Sequence, residues 1–241
     1  MSDSEWLYHY PPLLPGRLVK RYKRFFADVE LATGELITAH CPNTGPMTGV
    51  STLGSPVYVS QSDNPKRKLA YTLELIEVYD NAPTWVGINT GLPNKVTHLA
   101  LAANVIPGLG PYDTIRHEVP YGQDKKSRID FLLTGGEKPV YVEVKSTTWA
   151  QQELAVFPDT VTTRGQKHLL ELTALVPEAM PVMLYFINRG DCLAFAPGDQ
   201  TDPTYGQLLR AAIAKGVQVL PCRFEVSPVG VRFLGLAELR L

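Results

Sequence analysis

The stretch that decides the fold of the second half of the chain reads Ser127-Arg-Ile-Asp130-Phe-Leu-Leu-Thr134, then Gly135-Gly136, then Val140-Tyr-Val-Glu143-Val-Lys145-Ser146. Two short runs of aliphatic, β-branched and aromatic residues around a double glycine predict two antiparallel strands joined as a hairpin. Because side chains alternate along a strand, Glu143 and Lys145 share one face, and Asp130 on the partner strand is expected beside them. Buried charges are costly unless they are paired or bind a metal, so this cluster predicts a site.

The chemistry of this cluster suits a phosphodiester. Two carboxylates offer hard oxygen ligands to a divalent cation such as Mg²⁺, and a nearby lysine can orient a water and stabilise developing negative charge. The spacing alone leaves an alternative open, in which Glu143 and Lys145 form a solvated pair that contributes little, as surface ion pairs usually do.

Composition limits the class of protein. The chain has 241 residues, of which 44% are hydrophobic and 20% charged, as in a folded globular protein of one large or two small domains. No apolar run has the length of a membrane span, and the polar opening Met1–Glu5 is unlike a secretory signal, so we expect a cytoplasmic protein without a membrane partner. Three cysteines without a Cys-x-x-Cys pair predict reduced core residues, and neither a disulfide framework nor a thiolate zinc site.

The first third of the chain shows strand-like runs at close spacing and no convincing helical pattern. Turn residues separate the runs, and a loop rich in glycine, proline and asparagine follows His40. This pattern predicts a small β-barrel of the oligonucleotide-binding (OB) type over residues 1–83. The runs on which the prediction rests are Ala27–Ala32, Leu36–His40, Pro56–Ser60 and Tyr71–Tyr79.

Helical periodicity enters the chain after residue 83. Apolar spacing predicts helices over Thr90–Ala103 and Thr163–Val176, and a third helix that Asp202 caps and Gly216 ends. The continuous apolar run Met183–Ile187 predicts a buried strand. Residues 84–241 are therefore expected to form a mixed α/β domain, which gives an α+β protein of two domains.

Two basic clusters lie within the predicted barrel, although the net charge of the chain is only −1. Cations beside aromatic rings can neutralise phosphates and stack on bases, the combination used on single strands. The alternative is that each charge run is a solvated face. If the first cluster is a strand, Arg21 and Lys23 share one face while Lys20, Tyr22 and Arg24 share the other. The cations are Arg17, Lys20, Arg21, Lys23 and Arg24, beside Tyr22, Phe25 and Phe26, and then Lys66, Arg67 and Lys68.

Several blocks of sequence resemble a known family in the expected order. Asp130 followed by Glu143-Val144-Lys145 resembles the core of the PD-(D/E)xK nuclease superfamily, although Ile129 stands where the proline of that name would be. The wider set of blocks resembles the sugar fermentation stimulation protein A family over nearly the whole chain. These blocks are Lys20–Phe25, His40–Gly45, Ser127–Phe131, Glu143–Ser146, Phe157–Asp159 and Arg164–Leu169.

The resemblance implies an N-terminal OB barrel, a C-terminal restriction-endonuclease-like domain and roles for individual residues. Asp130 and Glu143 would bind Mg²⁺ or Mn²⁺, and Lys145 would be the catalytic lysine. Glu118 would be a further ligand or base, with a solvated strand glutamate as the alternative. Gln166 would support the lysine or the water, with an exposed helix residue as the alternative.

Two functions follow from this resemblance. The first is a DNA-binding protein that cleaves phosphodiesters with Mg²⁺ or Mn²⁺, and the second is a non-catalytic DNA-binding transcriptional regulator linked to sugar (maltose) utilisation. RNA is the less favoured nucleic acid, and the sequence distinguishes neither single-stranded from duplex DNA nor a monomer from a homodimer. No mechanism follows for His40, Asn43 or Thr44, since such residues in a loop most often bond to their own backbone.

Overall fold

A computed structural model describes residues 6–80, 82–122 and 127–241. The polar opening Met1–Glu5, and Asn81 beside the predicted domain boundary, lie outside the described residues. The described chain forms an N-terminal β-barrel and a C-terminal α/β domain, as predicted. None of the helices in these ranges is long and apolar enough to cross a membrane. The three cysteines are buried and free, which confirms them as core residues.

The barrel is a six-stranded sheet in the order β4-β3-β2-β5-β6-β7, and a short parallel pairing between β4 and β6 closes it. Alternate side chains of its strands point inward and form an apolar core that includes Leu18, Val29, Val59 and Leu73, all fully buried. Its strands are β2 (Leu13–Tyr22), β3 (Phe26–Leu31), β4 (Leu36–His40), β5 (Pro56–Gln61), β6 (Tyr71–Tyr79) and β7 (Pro83–Gly87).

Two strands pair across the boundary in the predicted division of the chain into residues 1–83 and 84–241. Strand β7 pairs with β6 from Pro83 to Gly87, so the barrel continues past residue 83. Strand β1 (Tyr8–His9) pairs instead with a strand of the C-terminal sheet near Gly230, so the start of the chain does not belong to the barrel sheet. The alternation of side chains within one run predicts neither the pairing of β7 nor that of β1, because tertiary contacts determine which strands pair.

The C-terminal domain contains a seven-stranded mixed sheet in the order β1-β16-β15-β13-β10-β9-β8. A smaller sheet has the order β11-β12-β14-β17. The strands are β8 (Thr114–Tyr121), β9 (Ser127–Thr134), β10 (Val140–Thr147), β11 (Ala150–Gln151), β12 (Leu154–Phe157), β13 (Met180–Ile187), β14 (Ala194–Pro197), β15 (Gln218–Val226), β16 (Gly230–Leu236) and β17 (Glu238–Leu239).

The predicted hairpin is confirmed as β9 and β10, which are neighbours in the large sheet and pair antiparallel. Their ladder covers Val140 to Val142 and stops there, whereas β10 pairs with β13 along its whole length. Beyond Val142 the space between β9 and β10 is bridged by a side chain, because the Asp130 carboxylate accepts the Val144 N–H at 2.7 Å. The split in the ladder therefore places Asp130 next to the outer half of β10.

Three helices cover the large sheet: α1 (Leu92–Ala102), α2 (Thr163–Thr173) and α3 (Pro203–Ala214). All three were predicted, with α2 ending at Thr173 before the expected stop. Asp202 caps α3 as predicted and accepts the Tyr205 N–H at 2.9 Å. The Thr162 hydroxyl caps α2 by accepting the Gly165 N–H at 3.1 Å. The caps fix where α2 and α3 begin.

The barrel and the C-terminal domain meet at Gly87 and Arg189. Gly87 and Asn188 exchange two hydrogen bonds, one from the Gly87 N–H and one from Asn188 Nδ2, each 3.0 Å long. A Cβ on Gly87 would lie 2.2 Å from Asn188 Oδ1, so any other residue there would displace the Asn188 amide. The Arg189 guanidinium is 1% exposed and donates to Asp80 of the barrel side and to Asp191, at 2.6 Å each. These contacts fix the relative position of the two domains.

Substitution of Arg189 by methionine is expected to lower the melting temperature by about 6 to 12 °C. Removing one partner of a buried ion pair costs about 3 kcal/mol or more, and a chain of this size loses roughly 2 to 4 °C per kcal/mol. The matched control is Arg210→Met, whose pair with Asp199 is largely exposed and contributes at most about 1 kcal/mol. Equal shifts for the two variants in differential scanning calorimetry would contradict a structural role for Arg189.

Candidate functional site

A cavity of ≈ 280 Å³ opens where the split hairpin meets the first turns of α1 and α2. Its floor carries Asp130, Glu143 and Lys145, which the sequence predicted to lie together. Asn94 of α1 and Arg164 of α2 line its sides. The structure therefore brings three of the five predicted catalytic residues into one polar pocket.

Glu143 is the central carboxylate of this pocket and is 3% exposed. Its Oε1 accepts hydrogen bonds from Lys145 Nζ, at 2.7 Å, and from His168 Nδ1. Burial raises the pKa of Glu143, but the hydrogen bond from His168 and the charge of Lys145 outweigh burial and lower that pKa below its ordinary value. Glu143 is therefore ionised at neutral pH.

The contacts of His168 define its tautomer. Arg164 Nε donates to His168 Nε2 at 3.4 Å, so Nε2 acts as the acceptor and the proton sits on Nδ1. That proton is donated to Glu143. Lys145 Nζ lies 3.1 Å from the same Nδ1 but, as a donor itself, directs its hydrogen bond to Glu143. His168 thus orients the Glu143 carboxylate from the side opposite the cavity.

Asp130 is held by two hydrogen bonds. Asn94 Nδ2 donates to Oδ1 at 2.8 Å, and the Val144 N–H donates to Oδ2. Burial and the neighbouring Glu143 carboxylate nevertheless raise the pKa of Asp130 from 3.8 to about 6. Two carboxylates that repel each other in a polar cavity offer a binding site for a cation.

The residues present fit a divalent cation. Glu143 Oε2 is buried and has no hydrogen-bond partner among the described residues, because both donors to that carboxylate bind Oε1. Asp130 supplies the second carboxylate. Within the described ranges no group of three or more His, Cys, Asp or Glu side chains could hold a metal, so a cation at Asp130 and Glu143 would need its other ligands from outside the protein. Mg²⁺ is commonly held by one or two carboxylates together with waters and substrate phosphates.

Two predicted catalytic residues do not line this cavity. Glu118 is exposed on β8 and has a φ of 50°, and the pairing with β9 is interrupted at this position while its register continues on both sides. Gln166 donates from Nε2 to both oxygens of Asp202, at 2.9 and 3.0 Å, and so supports the cap of α3. The contact with Glu143 and Lys145 expected from α2 is made by His168, two positions further along the helix.

Sequence reasoning missed Asn94, Arg164 and His168. Arg164 and His168 lie in the block Arg164–Leu169, and the four-residue spacing places both on one face of a helix. That spacing was a usable signal. The sequence carries no such signal for Asn94, because the contact of Asn94 with Asp130 depends on how α1 crosses the sheet.

The basic residues of the barrel fall into two groups. Arg21 donates to the carbonyls of Arg24, Asn43 and Gly45, at 3.0, 3.0 and 2.8 Å, and so holds the loop after β4. Arg17 donates to a backbone carbonyl and Arg67 to the Thr72 hydroxyl. The exposed cations of the two clusters that have no hydrogen-bond or ion-pair partner among residues 6–80, 82–122 and 127–241 are Lys20, Lys23, Arg24, Lys66 and Lys68.

The expected alternation of the first cluster is wrong beyond Tyr22. Strand β2 ends at Tyr22, and Lys23 and Arg24 lie in the turn to β3 with φ values of 47° and 66°. The ladder also shifts its register between Leu18 and Lys20. The turn and the bulge therefore set where these cations point, and the two-face pattern of a flat strand does not apply.

Both basic clusters lie at the end of the barrel that borders the cavity. The Cys41 N–H donates to the Phe25 carbonyl of the β2–β3 turn at 2.8 Å, and His40 pairs with Thr72, which Arg67 contacts. The loop that follows, His40–Gly45, reaches the C-terminal domain, where the Thr90 hydroxyl donates to the Pro42 carbonyl at 3.1 Å. This loop joins the basic end of the barrel to the polar cavity.

Comparison with known families gives two matches along the chain. A profile described as "SfsA N-terminal OB domain" matches residues 19–88. A second, described as "Sugar fermentation stimulation protein RE domain", matches residues 91–230. The two matches divide the chain near the end of β7, as the strand pairing does.

Curated relatives and a solved structure agree with these matches. "Sugar fermentation stimulation protein homolog" of Trichormus variabilis is 70% identical over 98% of both chains, and that of Cyanothece sp. is 69% identical over 99% of this chain and 100% of its own. The solved structure of Pyrococcus furiosus SfsA in complex with Ca²⁺ superposes with a TM-score of 0.86 at 24% identity, covering 98% of this chain and 99% of that one. At that identity the likeness shows a common fold.

Proposed function

The chain belongs to the sugar fermentation stimulation protein family, and from that premise we propose that it binds DNA and cleaves its phosphodiester bonds with a divalent cation. The observation that carries the proposal is the unpaired, buried Glu143 Oε2 beside Asp130 in a cavity that also contains Lys145. Two carboxylates and a lysine at one point are the groups that hydrolysis of a phosphodiester needs.

The residues of the chain have separate tasks in this reaction. Asp130 and Glu143 would hold the cation. The Lys145 ammonium, 2.7 Å from Glu143, would orient the attacking water and stabilise the negative charge that develops on the phosphate. Arg164, at the side of the cavity, supplies a second positive charge within reach of a bound phosphate.

A divalent cation, when bound, supplies Lewis acidity at the phosphate and lowers the pKa of a coordinated water. The Pyrococcus furiosus protein is known in complex with Ca²⁺, which is consistent with a family that binds divalent cations. Mg²⁺ and Mn²⁺ are the cations we propose for cleavage here. The basic end of the barrel, which borders the cavity through the loop His40–Gly45, would hold the nucleic acid.

The direct test is to incubate pure protein with labelled single-stranded and duplex DNA in EDTA, Mg²⁺, Mn²⁺ or Ca²⁺. Cutting that appears with Mg²⁺ or Mn²⁺ and is absent in EDTA supports the nuclease. Binding without cutting in every cation would leave the alternative, a DNA-binding regulator of sugar utilisation. RNA of the same sequence serves as the competitor that tests the choice of nucleic acid.

Replacing Lys20, Lys23 and Arg24 together by alanine is expected to weaken DNA binding and to reduce its salt dependence. Each phosphate contact contributes about 0.7 to 0.9 to the slope of log K against log salt concentration, so three lost contacts lower the slope by about 2. Fluorescence anisotropy at several salt concentrations measures both effects.

The matched control for this triple variant is Arg21→Ala in the same cluster. Because Arg21 bonds to three carbonyls of the chain, we expect that substitution to lower the melting temperature and leave the salt slope nearly unchanged. An unchanged slope in the triple variant would remove these cations from the binding surface.

A further inference from the structure

A second, smaller cavity of ≈ 100 Å³ adjoins the polar cavity, and the two share Thr90 and Ser146 in their walls. The second cavity lies between the barrel loop and the C-terminal domain, with Asn43 on one side and Trp149 and Phe157 on the other. Nothing in the proposed cleavage reaction uses these side chains. Ser146 directly follows Lys145, so the second cavity begins one residue beyond the catalytic lysine.

We propose that this second cavity binds one unpaired nucleobase next to the phosphodiester held in the first, so that the substrate strand is single-stranded at the site. The inference rests on the proposed function for the identity of the ligand. Aromatic rings beside a phosphate site are the usual means of holding unstacked bases. A cavity of about 150 Å³ accepts a benzene ring, so this smaller one of ≈ 100 Å³, which is open to solvent, would take only part of a single base and excludes a base pair.

The aromatic side chains are placed for stacking. Phe157 is anchored behind the cavity by Tyr185 and Tyr205, at ring centroid distances of 5.6 and 5.3 Å. Trp149 is half-buried, and among the described residues no aromatic ring contacts its indole. An indole that lines an open cavity can stack on any base, because every base has a π-face.

Polar groups for the edge of a base are also present. Thr147 is 1% exposed, and its hydroxyl finds no hydrogen-bond partner in the part of the chain that the structure describes. Asn43 Oδ1 accepts the Gly45 N–H at 3.0 Å, which leaves the Nδ2 donor without a partner in the described part of the chain. An unpaired buried hydroxyl is costly, and a bound base edge would satisfy it. Asn43, for which the sequence indicated no role, would then read the base.

The test uses tryptophan fluorescence, because the chain has three tryptophans and two can be replaced. The double variant Trp6→Phe and Trp85→Phe leaves Trp149 as the only tryptophan. We expect a short single-stranded oligothymidylate, added in EDTA to prevent cleavage, to quench the Trp149 emission. A blunt duplex of the same length should quench it much less. Strong binding without quenching would overturn the inference.

Variants at Trp149 provide the second measurement. In the otherwise unchanged chain, Trp149→Leu should weaken single-strand binding about tenfold, while Trp149→Phe should retain most of the affinity because it keeps a ring. Melting temperatures of the two variants verify that both fold. Equal affinities of the two variants for single-stranded DNA would contradict a base pocket. An equally large loss of affinity for duplex DNA would contradict it as well.

The two proposals fail separately. Metal-dependent cleavage of duplex DNA without quenching of Trp149 would remove the base pocket and leave the nuclease. Quenching by single strands without cleavage in any cation would support the pocket in a protein that only binds DNA.

Discussion

Asp130→Asn is expected to abolish metal-dependent cleavage and at the same time to stabilise the protein at neutral pH. The substitution keeps the shape of the side chain and removes one of two carboxylates that repel each other. Asn94 can rotate its amide so that its oxygen accepts from the introduced amide nitrogen, while the introduced amide oxygen still accepts the Val144 N–H. The local hydrogen bonds therefore survive, and the cation site does not.

The pH dependence of stability tests the physical basis of this expectation. The pKa of Asp130 is 3.8 in an ordinary setting and about 6 in the fold, so the folded chain binds its proton more tightly than the unfolded chain. Stability from this group is therefore full below pH 4 and falls as pH rises from about 4 to about 6. The loss is on the order of 2 to 3 kcal/mol, and Asp130→Asn should avoid it.

Calorimetry at pH 4.5 and pH 8 measures the effect. The variant should exceed the wild type in melting temperature at pH 8, and the difference should shrink at pH 4.5. Added Mn²⁺ or Ca²⁺ should raise the melting temperature of the wild type alone. The control is Asp113→Asn, at an exposed aspartate of the same domain. This substitution should change neither the melting temperature nor its rise with added cations. A destabilised Asp130→Asn that still cleaves DNA would refute the assignment of Asp130.

The hairpin and the strand alternation could be read from sequence because both are local. Glu143 and Lys145 lie two residues apart on one strand, so a single register decides that they share a face. The place of Asp130 opposite them followed from the turn at Gly135 and Gly136. These are the parts of the site for which near neighbours in sequence are also neighbours in space.

The positions of the remaining side chains depend on how separate helices and strands cross, which the sequence does not reveal. Whether Gln166 or His168 of α2 faces Glu143 depends on the rotation of that helix, which the cap at Thr162 and the packing on the sheet determine. Glu118 has a φ of 50°, at the one position of β8 where the pairing with β9 is interrupted, and Arg21 turns inward because three carbonyls lie within its reach. Composition alone could not separate a cation that holds a loop from one that faces solvent.

The second cavity lies between the two domains, and side chains of both domains line it. The barrel contributes Asn43, the C-terminal domain contributes Trp149, and Arg189 with Gly87 holds the two in position. A substitution that loosens this contact should therefore weaken single-strand binding without touching a catalytic side chain. Arg189→Met provides that comparison, since Arg189 does not line either cavity.

Lys145→Met is expected to reduce cleavage by about 10² to 10⁴-fold while leaving DNA and cation binding largely intact. Methionine is unbranched like lysine and one heavy atom shorter, and it removes the charge. Glu143 retains the hydrogen bond from His168, so its carboxylate keeps its orientation toward the cavity. The rise in melting temperature with Mn²⁺ or Ca²⁺ should therefore persist, in contrast to Asp130→Asn.

The matched control for Lys145 is Lys167→Met, the same substitution at a largely exposed lysine paired with Glu171 on the outer part of α2. Single-turnover cleavage with labelled DNA separates a loss of chemistry from a loss of binding, and only Lys145→Met should lose the chemical step. If Lys145→Met also lost the response to cations, its charge would be needed to hold Glu143 in place, and its role would be structural. If cleavage persisted at the wild-type rate, the lysine would have no part in the reaction, and Arg164 would be the remaining cation of the cavity able to stabilise the phosphate charge.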